Sequence, residues 1–80
     1  MEAELEKLEE CLGPLYPAVY EDGALAVTVT NVAGIVNVFY VTWENGDYVI
    51  VSQDNTVMAN YSTPEDVKKW LERLGDFPPA

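Results

Sequence analysis

The chain has 80 residues, 49% of them apolar, so it is long enough for one domain and too apolar to be disordered. Its 14 acidic and 4 basic residues give a net charge of −10, which argues against direct nucleic-acid binding because phosphates require a basic surface. No apolar run approaches the roughly 18 residues of a membrane span, and the single cysteine cannot form an internal disulfide, so we expect a cytoplasmic protein with no membrane contact.

Residues 1–15 are predicted to form an acidic amphipathic helix that is regular over residues 2–12. Four leucines recur at spacings of three and four residues, as on the buried side of a helix: Leu5, Leu8, Leu12 and Leu15. Gly13 is expected to end the regular helix because glycine adopts a positive φ without strain. The stripe either packs on the domain's own sheet or pairs with a helix of a partner.

Residues 18–61 are predicted to form an antiparallel meander of about four strands. Gly23 marks the first turn, and the segments Ala24–Val32 and Ile35–Glu44 then alternate along two faces. Both faces of Ile35–Glu44 are substantially apolar. This strand is therefore expected to be central and covered on both sides, or covered by a partner on one of them.

The dipeptide Asn45-Gly46 predicts a two-residue type I′ hairpin, because both residues tolerate a positive φ. The turn fixes the register of four cross-strand pairs: Glu44–Asp47, Trp43–Tyr48, Val41–Ile50 and Tyr40–Val51. A second turn at Asp54-Asn55 is expected to lead into a last strand, Thr56–Tyr61. Trp43 and Tyr48 are expected to leave one side of their pair accessible near the hairpin tip.

Residues 62–75 are predicted to form the last helix, followed by a short tail at residues 76–80. Ser62 or Thr63 supplies the N-cap oxygen, and Gly75 is expected to end the helix. One apolar face has helical spacing: Val67, Trp70, Leu71 and Leu74. The whole chain is thus predicted to be a single α+β domain with a helix at each end of an antiparallel sheet.

No constellation in the sequence indicates catalysis. The chain has no histidine, which removes the usual general base and the usual metal ligand. Cys11 follows Glu9 and Glu10 rather than an activating base, so we interpret it as a packing residue. No calcium loop or glycine-rich phosphate loop is present. We therefore expect no enzyme, no cofactor and no metal site.

Charge and aromatic residues predict a protein-binding surface. Residues 1–60 carry a net charge of −9, and tyrosines and a tryptophan lie among those acids. Such aromatic side chains supply contact area at a low entropic cost. The candidate interface consists of Tyr20, Glu21, Asp22, Trp43, Glu44, Asp47 and Tyr48. An attractive partner would be a protein with a basic surface, although the acidity could instead serve solubility alone.

Two segments of the chain form a further pattern: Ala18–Gly23 with the valine-rich strand that ends at Thr30-Asn31-Val32, and Ser62–Asp66 leading into a helix with Trp70. Together they resemble small phage anti-CRISPR proteins. The resemblance implies an inhibitor that occludes a nucleic-acid-binding surface of an interference complex in the host cytoplasm. It also implies an interface role for Tyr20, because an interface tyrosine of one family member lies in the same Val-Tyr-Glu sequence context.

The sequence therefore predicts an acidic binding module that carries out no reaction. A self-associating structural or regulatory subunit is the alternative, with the leucine stripe and the doubly apolar strand forming a homodimer. The two functions differ in what they require: a basic partner in one case and a second copy of the chain in the other.

Overall fold

The computed structural model describes residues 3–76, with side chains at every position except 15, 75 and 76. Two helices, one 3₁₀ turn and five strands follow one another as α1 (Ala3–Leu12), the turn (Gly13–Leu15), β1 (Ala18–Glu21), β2 (Ala24–Thr30), β3 (Val36–Glu44), β4 (Asp47–Val51), β5 (Val57–Tyr61) and α2 (Pro64–Asp76). The predicted α+β class is confirmed. Residues 1–2 and most of the predicted tail, 77–80, lie outside the described residues.

The five strands form one antiparallel sheet in sequence order, β1-β2-β3-β4-β5, which makes it a simple meander. The expectation of about four strands was one too low, because β1 pairs with β2 across a turn at Asp22 and Gly23 with φ values of 50° and 80°. β1 has only four residues and directly follows Pro17, so its alternation is too short to stand out in the sequence.

The β3–β4 hairpin forms as predicted. Asn45 and Gly46 have φ values of 51° and 83°, as a type I′ turn requires. All four predicted pairs occur, from Glu44↔Asp47 to Tyr40↔Val51. The last turn is also present, and an irregularity in the β4–β5 register lies between Ile50 and Val51.

Both helices pack on the same face of the sheet and on each other. The core consists of α1 and α2 side chains and of every second residue of the strands: Leu5, Leu8, Leu12, Leu25, Val27, Val29, Phe39, Val41, Tyr48, Ile50, Val67 and Leu71. Three leucines of the predicted stripe, Leu5, Leu8 and Leu12, thus pack within their own domain, and the side chain of Leu15 lies outside the described ones. The use of the stripe as a dimer seam is a prediction that the structure contradicts, since Leu5 and Leu8 have no exposed surface.

The start of α2 is capped as its sequence predicts. The Asp66 amide donates to the Thr63 hydroxyl oxygen over 3.3 Å, and that hydroxyl donates to the Asp66 carboxylate over 3.0 Å. Trp70 contacts Phe39 edge-on, with ring centroids 5.2 Å apart. The helix continues through Gly75 to Asp76, one residue beyond the predicted end, which is within the usual variation of helix boundaries.

Candidate protein-binding surface

One face of the sheet has no helix against it, and we call it the outer face. Strand residues alternate between the two faces, so the side chains between the buried ones lie here. Buried and less buried residues alternate along β2 and β4, with Ala26 and Thr28 half-buried between buried neighbours. The central part of this face, which we call the uncharged face, comprises Ala26, Thr28, Val38, Tyr40, Val49 and Val51.

Four carboxylates lie at the same end of the sheet, on or directly beside the β1–β2 and β3–β4 turns. We call this group the acidic end: Glu21, Asp22, Glu44 and Asp47. The register explains the grouping, because Glu21 pairs with Ala24, which is adjacent to Leu25↔Val41 in the next ladder, and Glu44 pairs with Asp47. The structure therefore places four residues of the predicted interface, which span positions 21 to 47 of the chain, at the same end of the sheet.

The carboxylates of the acidic end have no basic partner among the described side chains. The single ion pair among the described side chains lies within α1 and joins Lys7 to Glu4 over 3.3 Å. Glu44 instead accepts a hydrogen bond from the Thr42 hydroxyl over 3.2 Å. The three basic residues outside α1 all lie on α2: Lys68, Lys69 and Arg73. Among the described side chains, no ion pair therefore compensates the negative charge at this end of the sheet.

A shallow open groove of about 430 Å³ crosses the outer face. Its floor and walls combine apolar, hydroxyl and acidic groups: Glu21, Asp22, Ala24, Tyr40, Thr42, Val51, Gln53 and Asn55. The groove thus runs from the acidic end to the β4–β5 turn. That turn is well ordered by hydrogen bonds, since Ser52 and the Thr56 amide both donate to Asp54 and lower the pKa of its carboxyl.

Tyr48 was predicted to contribute to the interface, and the structure corrects this. Its side chain is fully buried, and its hydroxyl donates to the Glu4 backbone carbonyl over 2.7 Å. Burial raises the pKa of Tyr48 from 10.0 to about 12, with a further contribution from Glu4. Trp43 does form the predicted edge-on pair with Tyr48, at 4.7 Å between ring centroids, and stays half-buried. The pair lies under α1, on the face opposite the groove.

Tyr20 is accessible but lies on a different face from its acidic neighbours. It pairs with Leu25, whose side chain is buried in the core, so it points toward the helix-covered face at the edge of the sheet. It keeps 38% of its surface exposed. Tyr20 and Glu21 therefore alternate across the sheet and cannot contact one flat partner surface together.

Sequence reasoning did not assign Tyr40, Thr42, Gln53 and Asn55 to the site, although all four line the groove. The second apolar face of β3 was a sequence signal for Tyr40 and Thr42. No signal indicated Gln53 and Asn55, because polar residues in a turn are expected for the turn's own conformation; Asn55 has a φ of 67°.

The loop from Asn31 to Ile35 joins β2 to β3 and forms an apolar tip at the end of the sheet opposite the acidic end. The Asn31 side-chain oxygen accepts hydrogen bonds from the amides of Ala33 and Ile35 over 2.9 and 3.0 Å. Val32 and Val36 are 67% and 58% exposed. No charged residue occurs from position 23 to position 43, so this hairpin is neutral in a strongly acidic chain.

The described residues contain no group of three acidic, cysteine or histidine side chains that could hold a metal ion. Cys11 is half-buried on α1, as expected of a packing residue. Within residues 3–76, neither helix is long and apolar enough to cross a membrane. No family model, characterised protein or solved structure gave a significant match to this chain.

Proposed function

We propose that this protein is an acidic binding module that acts without catalysis, and that its partner is a protein with a basic surface. The observation that supports the proposal is the acidic end, where four carboxylates on or beside two tight turns have no ion-pair partner among the described side chains. Like charges held close together cost folding stability, so a basic partner would relieve their repulsion on binding.

The geometry of the turns supports this role. The Asp22-Gly23 and Asn45-Gly46 turns both have positive φ values at their two central residues, as in two-residue hairpins of type I′. These hairpins fix the backbone positions from which the carboxylates project before binding, so less backbone entropy is lost when the complex forms. The groove beside them adds Tyr40, an aromatic side chain that a cationic side chain can approach over its ring.

In a sharper form of the proposal, the partner is a nucleic-acid-handling complex and this protein occludes its basic groove. This form rests on the resemblance to anti-CRISPR proteins and on the net charge of −10. It requires that the protein itself has no affinity for DNA or RNA and that it competes with nucleic acid for the partner.

The test compares two variants with the same change in charge. One neutralises the acidic end through Glu21→Gln, Asp22→Asn, Glu44→Gln and Asp47→Asn. The matched control neutralises four carboxylates of the helices through Glu6→Gln, Glu9→Gln, Glu10→Gln and Glu72→Gln. Immobilised wild-type protein and both variants are used to capture partners from a cell extract, and association rates of each captured protein are then measured at several salt concentrations.

We expect a true partner to bind the wild type and the control, and to associate at least about tenfold more slowly with the acidic-end variant. Its association rate with the wild type should fall as salt screens charges beyond about 10 Å at 0.1 M. Equal rates for the two variants, or tight binding of the wild type to DNA or RNA alone, would contradict the proposal.

A further inference from the structure

β1 is an edge strand of the sheet. Among the described residues it pairs with β2 on one side, and no strand lies on its other side. Edge strands carry backbone N–H and C=O groups without a partner in the sheet, and an extended peptide can pair with them. The register of β1 with β2 determines which groups these are.

The turn between β1 and β2 sets the order of hydrogen bonds along β1. In an antiparallel ladder, hydrogen-bonded pairs alternate with pairs whose N–H and C=O groups point away from each other. The residues that flank a two-residue turn form a hydrogen-bonded pair, and here they are Glu21 and Ala24. The Pro17 carbonyl accepts a hydrogen bond from the Thr28 amide over 2.9 Å, as the same alternation requires of odd-numbered positions.

The N–H and C=O groups of Ala18 and Tyr20 therefore point toward the open edge. Side chains at this edge are accessible as well, since Val19 and Tyr20 are 58% and 38% exposed. Val19 and Glu21 lie on the outer face, whereas Tyr20 lies on the helix-covered side. A flat partner surface cannot contact both sides, but a strand added along the edge presents its own side chains to both.

Charge determines which strand can pair here. Glu21 and Asp22 lie at the end of β1, and no ion pair compensates them among the described side chains. They disfavour a second copy of this acidic chain and attract a strand that carries lysine or arginine at that end. β5, the other edge, has an extra residue, Met58, in its ladder with β4, and such an irregularity disrupts regular pairing along an edge.

We propose that β1 binds an extended, basic segment of the partner as a sixth strand of the sheet. The backbone of the segment pairs with Ala18 and Tyr20, and its cationic end lies beside Glu21. The inference rests on the basic partner proposed above and adds the form in which that partner binds. In this mode of recognition, main-chain hydrogen bonds supply affinity and alternate side chains supply specificity.

Amide hydrogen exchange of the whole chain, followed by NMR, tests the inference without any substitution. The probe is a short synthetic peptide of alternating valine and threonine with a lysine at each end, so that a cation reaches Glu21 in either strand direction. We expect the Ala18 and Tyr20 amides to exchange rapidly in the free protein and at least about tenfold more slowly when the peptide is saturating. The Val19 amide pairs with β2 and should change less.

Three results of this experiment would overturn the proposal. The peptide could fail to bind at millimolar concentrations, or it could bind and leave the Ala18 and Tyr20 amides unchanged, which would place the contact elsewhere. Protection of these amides that rises with protein concentration in the absence of peptide would show that a second copy occupies the edge.

Ala18→Pro removes one outward N–H and changes no charge. Proline is tolerated on an edge strand where the missing N–H faces solvent, so the β1–β2 ladder should persist. Asn60→Pro is the matched control, because Asn60 occupies an outward position on β5, opposite Val49. We expect Ala18→Pro to raise the dissociation constant of the peptide at least about fivefold and Asn60→Pro to leave it nearly unchanged. Equal effects of the two substitutions would overturn the proposal.

The inference and the proposed function fail in different ways. A captured partner that associates slowly with the variant neutralised at the acidic end, yet binds Ala18→Pro as tightly as the wild type, would contradict strand pairing alone. Peptide binding that protects Ala18 and Tyr20 equally in the wild type and in the neutralised variant would support strand pairing and contradict the role of the carboxylates.

Discussion

Tyr48→Phe tests how α1 is attached to the β3–β4 hairpin. The substitution keeps the ring and its contact with Trp43 but removes the hydroxyl that donates to the Glu4 carbonyl over 2.7 Å. The carbonyl lies in the first turn of α1, so losing this bond removes a polar attachment of the helix to the sheet, while the packing of buried Leu5 remains. One net hydrogen bond contributes about 1 kcal/mol, and leaving its acceptor partly buried without that donor raises the cost to about 1–2 kcal/mol.

The effect of Tyr48→Phe should depend on pH. The folded protein raises the pKa of Tyr48 from 10.0 to about 12, so it favours the protonated phenol. Stability from this group is fully present below pH 10 and is lost as the pH rises toward about 12. A change of this size corresponds to at most about 3 kcal/mol. The wild type should therefore lose its advantage over Tyr48→Phe within this pH window.

Urea unfolding at pH 7 and at several pH values above 9 measures both effects. At pH 7 the melting temperature should also fall, by about 5–12 °C for a domain of this size. Tyr20→Phe is the matched control, because Tyr20 is partly exposed at the sheet edge and should change stability by less than about 0.5 kcal/mol. Equal stabilities of the two variants at pH 7, or a difference from wild type that stays constant up to pH 12, would refute the role of the hydroxyl.

Three further substitutions test the turns and the helix cap. Gly46→Val should lower the free energy of unfolding by roughly 1–3 kcal/mol, because a β-branched residue is strained at a φ of 83°. An unchanged melting temperature would contradict the position of this turn. Thr63→Ala should cost about 1 kcal/mol by removing the cap of α2, whereas Thr63→Ser should retain most of it in the same melting assay. Asp54→Asn should remove part of the acid sensitivity of the fold. The lowered pKa of Asp54 contributes stability that is fully present above the ordinary value of 3.8 and is lost as the pH falls through the lowered pKa; identical acid unfolding curves of the variant and the wild type would contradict this.

The elements that could be predicted from the sequence are those determined by local chemistry. Asn45-Gly46 predicts its turn type because few dipeptides adopt a positive φ at both positions. This turn then determines the register of β3 with β4. Thr63 and Pro64 similarly mark the start of α2. β1 was not counted because a four-residue edge strand has too few positions for a periodic signal.

The position of Tyr48 could not be predicted, because it depends on contacts between distant parts of the chain. Its hydroxyl bonds to a carbonyl 44 residues earlier, and no local pattern indicates that α1 crosses the hairpin at this point. For the same reason the sequence showed that β3 has two apolar faces but not which one the helices cover. The candidate interface therefore mixed Trp43 and Tyr48 from one face with Glu44 and Asp47 from the other.

Salt and charge position distinguish binding at the acidic end from acidity that serves solubility alone. Binding of a basic partner at the acidic end gains from attraction, so salt should weaken it. Removing the charges of Glu44 and Asp47, together with those of Glu21 and Asp22, should slow partner association. Neutralising four carboxylates of the helices changes the net charge equally and should leave the association rate nearly unchanged. Acidity that served solubility alone would give equal rates for the two variants.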